Sequence, residues 1–150
     1  MSPDDFPTGY RAQRILGEGS MGQVWMARTE DTGAHCAVKV LNLRRDRRGS
    51  SERSFNREVR AMARLDHPGI IQVHDFGRTP VGSPFVAMEY VSGSALNPYM
   101  RAGWTWPKLW TLLDGLLSAL GHAHARDLIH RDLKPGNVIV FPDRVGTGAI

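Results

Sequence analysis

The sequence predicts an α+β fold: a five-stranded antiparallel sheet carrying one helix, followed by a mostly helical segment. Three observations predict it. Five short runs of strand character lie between Tyr10 and Val91, joined by Gly- and Pro-bearing turns. One helix-spaced segment, Ser51 to Leu65, interrupts them after the third run. After Ser92-Gly93-Ser94 the strand pattern gives way to a long leucine-rich helical pattern.

Composition bounds the function. The 150 residues are 41% hydrophobic and 23% charged, ordinary for a globular chain. A chain of this size buries roughly 70% of its unfolded surface, enough for one domain or two small lobes. No apolar run approaches the ~20 residues of a spanning helix, so no membrane segment is expected in the chain. Met1-Ser2-Pro3-Asp4-Asp5 is acidic and lacks an apolar core, so no secretory signal is expected. Cys36 stands alone and can form no internal disulfide, which suits a cytoplasmic location. The net charge of +4 favours anionic partners. Nucleotide phosphates and nucleic acid both qualify, and charge alone does not choose.

In chain order, residues 1–9 are polar with Pro3 and Pro7, and are expected to fray as a flexible N-terminus. Tyr10 to Leu16 and Val24 to Arg28 read as strands flanking Gly17-Glu18-Gly19-Ser20-Met21-Gly22. Asp31-Thr32-Gly33 is a turn. In His35 to Leu43, Cys36, Val38 and Val40 alternate with Ala37, Lys39 and Leu41, the period of a strand. Arg44 to Ser50 is read as a solvated basic loop. No aromatic residues interleave to support nucleic-acid stacking.

Phe55, Glu58, Met62 and Leu65 fall on one face of the following helix, which Asp66-His67-Pro68-Gly69 ends. Ile70 to Phe76 and Pro84 to Val91 complete the sheet. Beyond the break at Ser92, Ala95 to Arg101 reads as a short helix. Thr105 is the expected N-cap of a long helix to about Arg126, with Pro107 in its first turn. Its stripe of Leu109, Leu112, Leu113, Leu116, Leu117 and Leu120 is broad enough to need cover on more than one side. Trp104, Trp106 and Trp110 read as packing round its start. Asn137 to Phe141 and Thr147 to Ile150 are the last strands.

Chemistry concentrates in three places. The glycine run sits between two strands. A dinucleotide fingerprint would open a helix there, and a P-loop would end in Lys-Ser/Thr, whereas Gln23 follows Gly22. A strand-glycine-strand hairpin remains, able to lie over phosphates or merely to flex. Lys39 shares a strand face with Ala37. An ammonium there needs an anionic partner unless its head reaches water. Glu58 lies on the apolar helix face while Arg57 and Arg60 hold the wet side.

The densest signal is Ile129-His130-Arg131-Asp132-Leu133-Lys134-Pro135-Gly136-Asn137-Val138. It sets a carboxylate, an ammonium and an amide within six positions of one loop. This order resembles the catalytic loop of eukaryotic-type (Hanks-type) serine/threonine protein kinases, His-Arg-Asp-Leu-x-x-x-Asn. The glycine run and Ala37-Val38-Lys39 resemble the same family's motifs in the same chain order. The resemblance implies a protein kinase-like fold: a complete N-lobe at 10–91, with five antiparallel strands and one helix, and a partial helical C-lobe at 92–150.

The resemblance also implies roles, with ATP and Mg²⁺ as cofactors and Ser/Thr hydroxyls of a protein as acceptor. Asp132 would take the acceptor's proton, Lys134 would balance charge on the γ-phosphoryl, and Asn137 would be a magnesium ligand. Lys39 would grip the phosphates and pair with Glu58. Gly17, Glu18, Gly19, Ser20 and Gly22 would cover the phosphates. Leu16, Val24, Ala37 and Ile139 would sandwich the adenine, with Met88 as gatekeeper and backbone groups of Glu89 and Val91 at its edge. On periodicity alone the Phe85 to Val91 stretch reads as ordinary strand core. His130 is expected to pack rather than act as a base, and His122 and His124 to make no metal pair.

After the catalytic-type loop the family continues with Asp-Phe-Gly and Ala-Pro-Glu, and neither follows here. The expected function is therefore that of an ATP-binding serine/threonine kinase, present as a fragment with little transfer activity of its own. The alternative is a non-catalytic, nucleotide- or partner-binding kinase-like module. No nucleic-acid partner is expected. A dimer contact or a further C-terminal segment is expected to cover the leucine-rich helix.

Overall fold

The computed structural model describes residues 5–20, 22–42, 52–101, 103–141 and 148–149. The basic stretch Arg44 to Ser50 lies outside them. Contacts divide the chain into two units, Met1–Arg64 with Gln72–Tyr90, and Leu65–Ile71 with Val91–Ile150.

The first unit is built on β1 (Tyr10–Gly19), β2 (Gly22–Thr29), β3 (His35–Leu41), β4 (Val73–Arg78) and β5 (Pro84–Glu89). They form one antiparallel sheet in the order β1-β2-β3-β5-β4. The alternation in β3 sets Cys36, Val38 and Val40 on one face and Ala37 and Lys39 on the other. Cys36, Val38 and Val40 enter a core with Phe6, Ala27, Phe85 and Ala87. Val38 is completely buried, and emptying such a site costs about 2 kcal/mol or more.

Residues expected to fray include part of this core. Phe6 and Pro7 are buried, and the Phe6 ring meets Trp25 edge-on at 5.9 Å. The large apolar surface of Trp25 on β2 explains why a short polar segment is held there. Tyr10 donates from its hydroxyl to Asp75 Oδ2 at 3.0 Å. Burial, then this bond to a carboxylate, pushes the tyrosine well above its ordinary value.

Helix α1 (Glu52–Met62) differs in part from the expected face. Val59 is the buried residue, packed with Val73 and Val86 and flanked by Ala63, while Met62 is 48% exposed and Glu58 is exposed. Spacings of three and four fit both stripes. The sheet accepts the compact Val59–Ala63 pair and leaves Glu58 and Met62 outside, whereas Leu65, just beyond the helix, is buried as expected; the Phe55 side chain lies outside the described residues.

The segment Leu65–Ile71 groups with the second unit. His67 ties it there. Its Nδ1 accepts the Gly69 N–H at 3.0 Å, so its Nε2–H faces Ser118 Oγ, also at 3.0 Å. A strand beginning at Ile70 is therefore not formed, and β4 begins at Val73.

The second unit contains β6 (Ser94–Ala95), α2 (Trp106–His124), β7 (Ile139–Val140) and β8 (Gly148–Ala149). The three short strands make a small sheet in the order β6-β7-β8. A short 3-10 turn over Asn97–Arg101 stands where a helix from Ala95 was expected. Leu96, Leu112, Val138 and Val140 form the core, with Tyr99, Trp104 and Leu116 against it.

Thr105 occupies the N-cap of α2 in extended conformation, without a side-chain cap bond, and a proline lies in the first turn. Of the leucine stripe, Leu112 is buried and Leu109, Leu116 and Leu120 are half-buried, while Leu113 and Leu117 are exposed. Trp104 packs as expected, its Nε1–H bonded to the Tyr99 carbonyl at 2.8 Å. Trp106 and Trp110 do not; they are 69% and 59% exposed and lean on each other at 6.4 Å.

The C-terminus of α2 closes with a Schellman-type pair. Leu128 N–H bonds the Ala123 carbonyl and Asp127 N–H the His124 carbonyl, both at 3.0 Å. Asp127 takes φ 59°, a position where glycine is commonest. Replacing Asp127 with alanine is expected to destabilise the second unit by about 1 kcal/mol, while asparagine is tolerated. Chemical denaturation checks this, and equal midpoints for the two variants would refute it.

Candidate active site

In the first unit, the glycine run does not stand out as a loop. It continues the ladder, pairing Gly17 with Val24, Glu18 with Gln23 and Gly19 with Gly22. Across the hairpin Gln23 Nε2 donates to Glu18 Oε1 at 3.2 Å. The glycines differ in kind. A Cβ on Gly17 or Gly19 would meet nothing within 4 Å, so the backbone there faces open space. A Cβ on Gly22, at φ 145°, would run into the Val40 carbonyl. Ser20 follows Gly19 in the turn, and Leu16 is 37% exposed.

Lys39 stands on β3 between Val24 of β2 and Val86 of β5, and is half-buried. Two positions away, Ala37 lies between Met26 and Met88. Val24, Ala37, Lys39 and Met88 thus share neighbouring positions on the central strands. Met88 is half-buried and Glu89 exposed. The Glu89 N–H is already taken by the Gln72 carbonyl at 2.8 Å. Glu58 is exposed on α1 and has interactions of its own.

The second unit holds the catalytic-type loop and, near it in the small sheet, Ile139, which pairs with Ala95 and Ala149. Val91 begins this unit's later segment and is half-buried. The loop lies between α2 and β7. A 3-10 turn over Pro135–Asn137 brings Asn137 back toward Asp132.

Lys134 Nζ lies 3.0 and 2.7 Å from the two carboxylate oxygens of Asp132. Asn137 Nδ2 donates to Asp132 Oδ2 at 3.0 Å and to the Asp132 carbonyl at 2.7 Å. Both partners are acceptors, so the amide nitrogen faces Asp132 and Oδ1 is turned away from it. All three side chains come together as the spacing implied.

The backbone aims them. Arg131 has φ 60°, and Asp132 N–H bonds the His130 carbonyl at 2.8 Å. A two-residue return with positive φ is a γ-turn of the rarer, strained kind. Nothing in the sequence announces it, because arginine is not a residue that marks left-handed backbone. His130 Nδ1 also faces the Asp132 N–H at 3.3 Å, a packing and orienting contact.

Electrostatics follow from this cage. The bond from Lys134, then that from Asn137, hold the Asp132 carboxyl below its ordinary value of 3.8. The carboxylate is therefore ionised at neutral pH. Its stabilising contribution is present above the ordinary carboxylate range and is lost as pH falls through the lowered value. The pair is half exposed, with side chains 56% and 51% accessible for Lys134 and Asp132, so its value lies in geometry more than stability. Lys134→Ala is expected to move the Asp132 titration back up toward 3.8, read by NMR of the carboxyl carbon; an unchanged midpoint would contradict the cage.

One tripeptide escaped the reading by chain order. Asp75-Phe76-Gly77 has the composition of the family's second metal-binding motif but lies in β4, well before the catalytic-type loop. Asp75 is engaged by Tyr10 and by the Phe76 N–H at 2.8 Å. Its bonds give it a structural place.

Comparison with known proteins adds to this geometry. The family described as "Protein kinase domain" matches residues 10–145. Serine/threonine-protein kinase pkn3 of Myxococcus xanthus is 41% identical over 140 residues, covering 90% of this chain and 25% of that protein. Serine/threonine-protein kinase PknA of Mycobacterium tuberculosis is 38% identical over 139 residues, covering 89% of this chain and 32% of its own. The crystal structure of the M. tuberculosis PknI kinase domain superposes with a TM-score of 0.81 at 31% identity, over 94% of this chain and 57% of that one. The chain thus spans a quarter to a third of these two curated relatives.

Proposed function

Because the chain belongs to the protein kinase family, on its serine/threonine side, we propose that it binds ATP with Mg²⁺ and carries the catalytic loop for phosphoryl transfer to serine or threonine hydroxyls of a protein. The observation that carries this reading is the Asp132–Lys134–Asn137 cage, with Lys134 on both carboxylate oxygens and the Asn137 oxygen left for another partner.

In this reading Asp132 accepts the proton of the acceptor hydroxyl as the hydroxyl oxygen bonds to the γ-phosphorus and the bond from that phosphorus to the β,γ-bridging oxygen breaks, the oxygen leaving with ADP. Lys134, now paired with Asp132, shifts part of its charge to the transferred phosphoryl group. Asn137 Oδ1 is a hard oxygen of the type magnesium prefers, and magnesium when bound neutralises phosphate charge. In the first unit, Lys39 meets the phosphates and Glu58 orients it. The open space over Gly17 and Gly19 admits phosphate oxygens close to backbone N–H groups. Leu16, Val24, Ala37, Met88 and Ile139 supply apolar contact to the base, with Glu89 and Val91 offering backbone groups. Ser20 and Glu18 flank the hairpin turn.

The test is calorimetric titration of the 150-residue chain with ATP and MgCl₂. Lys39→Met is expected to weaken binding at least tenfold, about 1.4 kcal/mol, while the exposed-strand control Arg11→Gln leaves it unchanged. Equal affinity of Lys39→Met and the parent chain would overturn the reading. Radiolabelled transfer to a generic basic protein, compared with Asp132→Asn, separates a transferring chain from one that only binds.

A further inference from the structure

A second site for an anion lies on α1. Arg57, Arg60 and Arg64 recur at spacings of three and four, so they project from one side of the helix. The backbone bonds Ala63 N–H to Val59 O and Arg64 N–H to Ala61 O carry the helical course to Arg64. By a rise of 1.5 Å per residue, the three Cα positions span about 10 Å along the axis. All three side chains are exposed.

They line a groove of about 530 Å³ with Asn56 and Ala61, and no carboxylate lines it among the described residues. Glu58, the carboxylate between them in sequence, lies outside this lining and has interactions of its own. Another face, through Val59 and Ala63, packs on the sheet. The helix is therefore held by one side and offers guanidinium groups on another. Structural packing gives these three charges no work, since none touches the core.

We propose that this groove is a docking face for an acidic peptide segment bearing phosphoserine or phosphothreonine. Guanidinium groups bind phosphate bidentately, and a row of about 10 Å suits one phosphate with a flanking carboxylate. The inference rests on the serine/threonine kinase reading for its source of ligand: such a reaction leaves phosphoserine and phosphothreonine as products. The groove would then retain a phosphorylated segment beside the enzyme that makes it. A nucleic-acid partner is disfavoured, because among the described residues no aromatic side chain lines the groove for base stacking.

The test uses the whole chain and a fluorescent acidic nonapeptide with one central phosphothreonine, its unphosphorylated twin, and a single-stranded oligonucleotide. The phosphopeptide is expected to bind at least tenfold more tightly than its twin and than the oligonucleotide. The triple variant Arg57→Gln, Arg60→Gln, Arg64→Gln loses that preference, and Arg11→Gln keeps it. Arg60→Gln alone, with its single exposed change, guards against misfolding of the triple variant and is expected to weaken binding severalfold.

Equal binding of both peptides, retained binding in the triple variant, or tighter binding of the oligonucleotide each overturns the proposal. ATP titration of the same samples keeps the two readings apart. A chain that binds ATP but not the phosphopeptide sinks this groove alone. One that binds the phosphopeptide through the three arginines but not ATP keeps the groove and sinks the kinase reading.

Discussion

Gly22→Ala is expected to destabilise the first unit by about 2–4 kcal/mol, whereas Gly17→Ala and Gly19→Ala change stability by no more than about 1 kcal/mol. Gly22 is at φ 145°, and an added Cβ would collide with the Val40 carbonyl and lie 2.9 Å from Leu41 Cα. Both obstacles are backbone atoms of β3, so no rotamer change can relieve them. Strained backbone of this kind costs about 1–3 kcal/mol before the collision is counted. At Gly17 and Gly19 an alanine meets open space, and loss of unfolded-state freedom offsets any harm. Against a usual total of about 5–15 kcal/mol, the Gly22 variant loses a large share. Urea denaturation reads the difference. Under the proposed function the order reverses for ligand binding, with Gly17→Ala and Gly19→Ala weakening ATP while the fold persists. Equal stability losses at all three positions would remove the distinction between a glycine the sheet requires and glycines left for a ligand.

The second large effect concerns the uncovered side of α2. Trp106, Trp110, Leu113 and Leu117 follow spacings of four, three and four, so they form one stripe, and all four are exposed. Burying one such side chain is worth about 1.5–3 kcal/mol, so the stripe strongly favours association. The 150-residue chain is expected to self-associate at micromolar concentrations and to bind a hydrophobic dye. The double variant Trp110→Gln, Leu117→Gln is expected to shift it toward monomer and cut dye fluorescence severalfold. At a dilution where both chains are monomeric its unfolding midpoint should hardly move, because neither residue is buried. Light scattering that finds the parent chain monomeric, with no dye signal, would show that the stripe drives nothing.

Several features were legible from residues because they depend on local order alone. The alternation of β3 sets Cys36, Val38 and Val40 together on one face, and the three enter one core together. The spacing Asp132, Lys134, Asn137 in a loop with Pro135 and Gly136 is short enough that few conformations keep the three apart. The face of α1 was not legible. Glu58 and Met62 fit helical spacing as well as Val59 and Ala63 do, and only the sheet's own surface turns the second pair inward. Nor was the place of Phe6, since a lone aromatic in a polar stretch is buried or free according to whether Trp25 waits across from it.

What the amino-acid order determined by itself is the family, the strand pattern and the set of reactive groups, because periodicity and motif spacing are properties of neighbours along the chain. Only the tertiary structure decided which way each group points. The left-handed turn at Arg131, the Asn137 amide turned onto Asp132, and the Tyr10 hydroxyl that engages Asp75 all depend on partners or backbone angles that linear order does not encode. Hydrogen bonds and close packing act between atoms brought together by folding, so their directions appear only when the chain has closed on itself.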